Sequence, residues 1–235
     1  MVPIWIFSAS LIGLSLGGFL AVLLVGLRNN QSTVILFSGG MILGILILEI
    51  IPEALEENHI LLLIGIIISF AFYILVHDLL DRSKFIKKDP NKSKPLKAGL
   101  IIVASLLIHN FPLGVTTSNQ LLEGNSTFLA AVLIHNIPEG VILVSPLLTA
   151  GLPLIKVIAL IVCLTIPTTI GAFSSVKDII GVETVLQVVF LGISIGMLLS
   201  VALKEMIIPY IKEGRSSILS YITLLLGFLL IYLVF

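Results

Sequence analysis

Eight apolar runs of about the length that crosses a bilayer follow one another in this chain, and that succession limits the possible folds more than any other feature. A helix needs about 20 predominantly apolar residues to span the hydrocarbon core. The runs fall at roughly 4–27, 33–53, 60–80, 98–120, 126–149, 152–173, 183–207 and 217–235. Inside hydrocarbon every backbone N–H and C=O must be satisfied within the protein, so each run is predicted to be a helix. The expected fold is an all-α integral membrane protein of eight transmembrane helices, forming one polytopic membrane domain over residues 1–235. Composition agrees, with 58% hydrophobic and 11% charged residues where a soluble domain carries about a quarter charged. One cysteine, Cys163, leaves no intrachain disulfide and no thiolate cluster. The first run lacks a basic flank of the cleavable-signal kind and is expected to be retained.

The net charge is zero, so the distribution of the charges carries the information. With the N-terminus outside, twelve of the 13 Lys and Arg residues fall on the inner side and only Lys177 on the outer. That bias predicts a multi-pass protein of the cell membrane with an even number of spans and both termini outside. The stretch 81–97 is expected to be a basic cytoplasmic loop. Small residues recur at helix-packing intervals, as Gly13 and Gly17, Gly40 and Gly44, Gly192 and Gly196, and are expected to bring backbones close.

Polar groups break the apolar pattern in one repeated form. His109-Asn110-Phe111-Pro112 and His135-Asn136-Ile137-Pro138 sit in the fourth and fifth runs, each followed by a glycine, Gly114 or Gly140. Burying imidazole and amide in hydrocarbon is costly, which marks such groups as functional. What two histidines and neighbouring oxygen donors most readily share is a metal ion. Residues four apart share a helix face, so His135 and Glu139 project together, while Asn136 lies about 100° round the helix. Pro112 and Pro138 lack an N–H and crowd the carbonyls of Ile108 and Ile134, so helices four and five are predicted to kink there. Expected metal-binding residues are His109, Asn110, His135, Asn136 and Glu139.

A second, looser repeat sets Leu48-Glu49-Ile50-Ile51-Pro52 against Lys204-Glu205-Met206-Ile207-Ile208-Pro209, with one extra residue in the latter. Runs two and seven thus pair, as do four and five, which predicts the inverted-repeat character of a transporter with a midplane site. Glu49, Glu53, Thr116, Thr117, Gln120 and Glu205 are expected along the pathway leading to that site.

Taken together, these residues resemble the ZIP (Zrt/Irt-like) family of divalent-metal transporters. His135-Asn136-Ile137-Pro138-Glu139-Gly140 is similar to the family's span-five motif, and Glu49-Ile50-Ile51-Pro52-Glu53-Ala54 to its span two. The resemblance implies uptake of Zn²⁺, with Fe²⁺, Mn²⁺ and Cd²⁺ as further substrates, toward the cytosol. It also implies a homodimer in which a bundle of spans one, four, five and six moves against a scaffold of two, three, seven and eight. Two acids of the family pattern are missing, since Leu113 and Thr168 stand at or near their places. One carboxylate cannot neutralise two divalent ions in a low-dielectric site, so a single ion is expected, held mainly by His109, His135 and Glu139. No prosthetic group, catalytic residue or nucleic-acid partner is implied; the partners are the metal ion and the lipid bilayer. Two imidazoles and a carboxylate also suit an intramembrane metal-dependent hydrolase, or a transport-incompetent sensor of the same family. Turnover of a substrate, or binding without flux, distinguishes these from transport.

Overall fold

In the computed structural model, which describes residues 1–27, 31–83, 90–176, 182–212 and 218–234, every apolar run is helical. The helices are α1 (Val2–Leu27), α2 (Gln31–Ile45), α3 (Ile51–Leu55), α4 (His59–Arg82), α5 (Pro90–Leu122), α6 (Thr127–Thr149), α7 (Leu154–Val176), α8 (Val182–Val201), α9 (Ile208–Lys212) and α10 (Ile218–Val234). Two π-helical segments, Leu46–Ile50 and Ala202–Ile207, join α2 to α3 and α8 to α9 without interrupting the rod. Seven rods are long and apolar enough to cross a membrane, and the last described helix, α10, is apolar but shorter.

The π segments have a local cause. Pro52 and Pro209 cannot donate to the carbonyls four residues earlier, and their rings crowd those carbonyls. The turn ahead of each proline shifts to wider pairing, in which Ile51 N–H meets Leu46 C=O and Ile208 N–H meets Leu203 C=O. Glu49 and Glu205, matched loosely in the sequence repeat, each occupy one of these widened turns.

The links between helices are equally specific. Gly124 (φ 90°) and Gly151 (φ 80°) take left-handed conformations after α5 and α6, where a side chain would be strained. Each closes its helix with paired bonds, Asn125 N–H to Gln120 C=O and Leu152 N–H to Leu147 C=O being the wider of each pair. Asn58 caps α4, its side-chain oxygen accepting from Ile60 and Leu61 N–H at 3.0 and 3.2 Å. The loop expected over 81–97 is shorter than the sequence suggested. Helix α4 continues to Arg82 and α5 already begins at Pro90, because proline is well placed at a first helical position where no N–H partner is needed. Residues 84–89 lie outside the described residues.

Four parallel helix pairs build the bundle, and glycines set their spacing. Gly17 of α1 lies on Gly140 of α6, and Gly65 of α4 lies on Gly192 of α8, each backbone against backbone. Helices α5 and α7 meet through Gly114 on Thr168 and Gly171 on Phe111; α2 and α10 meet through Gly40 on Leu224 and Gly227 on Phe37. Exchanging α1 with α7, α2 with α8, α4 with α10 and α5 with α6 carries these four seams into one another, and reverses each helix's direction. The same exchange interchanges both His-Asn motifs and both π segments, as the sequence repeats do. Helix α6 is central: from His135 to Leu147 nearly every residue is buried. Helices α4 and α10 instead turn Ile64, Ile67, Phe70, Leu225 and Leu229 outward, as lipid-facing helices do.

Candidate metal site

Helices α5 and α6, exchanged by the internal symmetry, bring the two motifs together near mid-helix. His109 Nε2 and His135 Nε2 stand 3.3 Å apart, with ring centroids 5.5 Å apart. Glu139, one turn after His135, completes the group, its Oε1 lying 3.5 Å from His109 Nε2 and 3.3 Å from His135 Nε2. All three are buried, at 4%, 5% and 2% exposure. A tetrahedral Zn²⁺ with ligands at about 2.0–2.1 Å sets neighbouring donors about 3.3–3.4 Å apart. The three donor atoms therefore form one face of a tetrahedron of the right size, leaving a fourth vertex open.

Behind the ligands the two rings are supported differently. His135 Nδ1 meets Glu49 Oε1 at 2.5 Å across the seam between α6 and the first π segment. His109 Nδ1 lies 3.4 Å from Ser194 Oγ, whose own hydroxyl donates to Leu191 C=O at 2.9 Å.

A cavity of about 40 Å³ leads from this group toward the end of the bundle that carries Glu57, with room for about three waters. Glu49, Glu57, His109, Leu113, Thr116, His135 and Gln187 are among its lining residues, and Gln187 Nε2 donates to Thr116 Oγ1 at 2.7 Å. On the other side of Glu139 lies a gap of about 10 Å³ between Ile42, Ile45, Leu106, Ile142 and Leu198. No more than one water fits there, and apart from Glu139 its walls are aliphatic.

The remaining expected residues are placed less uniformly. Asn110 and Asn136 are fully buried, but on the seams. Asn110 Nδ2 donates to Leu164 C=O of α7 at 2.9 Å, Asn136 Nδ2 donates to Val132 C=O at 2.7 Å, and the Cβ of Asn136 abuts Gly13. Neither lines the cavity, because a step of one residue turns a side chain by about 100°. Of the three residues expected to extend the His109 face, only Thr116 does so. Thr117 is buried with its hydroxyl on Leu113 C=O at 2.7 Å, and Gln120 accepts from Asn125 Nδ2 near the helix end. Leu113 lines the cavity, while Thr168 packs against Gly114 on the α5–α7 seam. The side chain of Glu53 lies outside the described residues.

Glu205 belongs elsewhere. It accepts from Tyr73 Oη at 2.7 Å and lies 3.5 Å from His77 Nε2. Lys97 enters the same cluster, its Nζ 2.6 Å from His77 Nε2 and 2.7 Å from Asp81 Oδ1, and Lys204 sits 4.8 Å from the Tyr73 ring centroid. Glu205 thus stands in a polar cluster at the opposite end from Glu57, where Tyr73 and His77 reach it from α4. Sequence reasoning missed Gln187 and Ser194. Gln187, a lone amide in an apolar run, was a usable signal; Ser194, between two packing glycines, was not.

The sequence profile of the ZIP zinc transporters matches residues 78–234, which include both His-Asn motifs, α5 to α10 and the Glu205 turn. A search of curated proteins returns no match. With more than half of its length matched and a buried His-His-Glu group where the family motifs fall, the chain belongs to the ZIP zinc-transporter family.

Proposed function

We propose that this protein carries one divalent transition-metal ion at a time, Zn²⁺ foremost, toward the cytosol through the His109–His135–Glu139 site. The observation that supports it most is the triangle itself: two nitrogens and one oxygen, 3.3–3.5 Å apart, buried between two helices of a membrane bundle. Two imidazoles with one carboxylate favour borderline metals over Mg²⁺ or Ca²⁺, which prefer all-oxygen shells. In this reading a hydrated ion descends the Glu57–Gln187 cavity, exchanges waters for the three ligands, and keeps water on the open vertex. Asn110 and Asn136 act from the seams, each with a buried Oδ1 free of hydrogen bonds among the described residues.

The Glu57 end is taken as outside and the Lys97 end as cytoplasmic, in accord with the charge bias, with α10 as an eighth crossing and both termini outside in the plasma membrane. The aliphatic gap beyond Glu139 then closes the cytosolic side. The glycine seams support a moving unit of α1, α5, α6 and α7 against a scaffold of α2, α4, α8 and α10, with bends at Pro112 and Pro138 and a homodimer as in the family resemblance. The test is uptake into proteoliposomes loaded with a metal-sensitive dye. Wild-type protein gives Zn²⁺ influx, and His135→Ala or Glu139→Ala abolishes it. Unchanged flux in both variants overturns the assignment. The hydrophobic Leu113 in the cavity wall favours one further reading, a sensor that binds without transporting; saturable Zn²⁺ binding with no flux in the wild type selects it.

A further inference from the structure

Glu49 touches the triangle without belonging to it. Its Oε1 contacts Nδ1 of His135, the ring nitrogen directed away from the other two ligands, while Nε2 is the atom aimed at them. Its second oxygen, Oε2, is buried and makes no hydrogen bond among the described residues. Resting on the reading of the triangle as an ion site, we propose that Glu49 is the positioning residue of His135, and that it couples metal affinity to the closure of α2 against α6.

The chemistry of the ring gives the first half. A carboxylate facing Nδ1 holds the proton there, fixes the ring plane, and makes Nε2 a stronger donor to a cation. Among the described residues His109 has no such support: its Nδ1 faces a serine hydroxyl at 3.4 Å, already engaged with Leu191. Nor does the symmetry-related acid supply it, because Glu205 is held by Tyr73 and His77. Only one of two otherwise equivalent ligands is therefore tuned by a carboxylate.

Placement gives the second half. His135 stands on α6, whereas Glu49 stands on the π segment that continues α2, across a seam where no glycine brings backbones together. The Glu49 side chain also lines the cavity and is 24% exposed, so it can leave the ring without first unpacking a core. When α2 and α6 part, His135 loses its orienting partner and the ion is held less tightly. By reciprocity, an ion that prefers the engaged carboxylate draws the two helices together by the same factor.

The full chain in nanodiscs, titrated calorimetrically with Zn²⁺, tests this. Glu49→Gln keeps size and removes charge, and a loss of about 10- to 100-fold in affinity is expected, as for other carboxylates behind a metal-bound histidine. Nitrogen NMR of the Zn²⁺-loaded wild type should show His135 protonated at Nδ1 and metallated at Nε2. Metal on Nδ1, or a Glu49→Gln dissociation constant within about twofold of wild type, overturns the positioning role; should the variant misfold, the wild-type nitrogen assignment decides alone. Spin labels on the ends of α2 and α6, in a Cys163→Ser background, should show a distance distribution that Zn²⁺ narrows in the wild type and not in Glu49→Gln. No narrowing in the wild type overturns the coupling. His135→Ala separates the two levels: if it binds Zn²⁺ like wild type, the site reading itself fails. If it loses binding while Glu49→Gln does not, only the inference about Glu49 fails.

Discussion

The two π turns are the most instructive pair of regions in the molecule. Both carry a glutamate ahead of a proline, both lie in rods exchanged by the inverted repeat, and both place the acid beside a histidine. Around Glu49 the histidine's other nitrogen faces a second imidazole, a buried acid and a cavity. Around Glu205 the space is filled: Tyr73 donates to the acid, Lys97 puts an ammonium on His77 and Asp81, and Lys204 covers the tyrosine ring. The same backbone device therefore yields a place for an external cation at one end and a self-neutralised joint at the other. What decides is whether the chain supplies its own cation.

The largest expected effect breaks the first region outright. Removing a vertex with Glu139→Ala should lower Zn²⁺ affinity by more than about 100-fold, an energy of at least about 2.7 kcal/mol, measured by calorimetric titration. Glu205→Gln in the same assay should stay within about twofold, and a large loss there would erase the contrast between the turns. Acidity sharpens the comparison next. Ligation needs deprotonated donors, so Zn²⁺ affinity should fall as pH drops, by up to about tenfold per unit for each proton displaced. Third, Leu113→Glu returns an acid one turn from His109 in the cavity wall. Affinity should rise about tenfold and uptake slow, with a second bound ion appearing in the titration stoichiometry. The smallest effect on Zn²⁺ binding concerns the filled end. Tyr73→Phe removes a hydrogen bond to a charged acceptor and should lower stability by about 1.5–3 kcal/mol, visible as a reduced Tm in detergent, with Zn²⁺ affinity unchanged.

Much of this was legible beforehand because hydrocarbon is a strict solvent. It forces long apolar runs into helices, so the predicted spans match the observed rods, with α10 falling short in described length. It also makes buried polar residues conspicuous, which is why His109, His135 and Glu139 stood out and do converge. Periodicity failed where it had to resolve one helix face from the next. Thr117 and Asn136 lie within about 100° of the ligand face, yet their side chains turn back onto carbonyls of their own helices, Leu113 and Val132. The two glutamates sit in the same local pattern, and only their depth in the span, with Glu205 near the inner end beside Lys204, set them apart in the sequence. What separates them is the company brought by α4, namely Tyr73 and His77, and no spacing rule reports that contact.

The glycine seams carry a consequence for motion. Where carbonyl rests on Cα, as at Gly17 on Gly140 and Gly65 on Gly192, there is no lubricating layer of side chains, and sliding one helix along the other would drive backbone into backbone. Those pairs behave as welded struts. Slip is left to surfaces faced with flexible side chains, α5 on α8 and α2 on α6. His109 with Ser194, Thr116 with Gln187 and His135 with Glu49 bridge these two surfaces, so under the proposed function the ion would sit on the boundary between the two sets of struts.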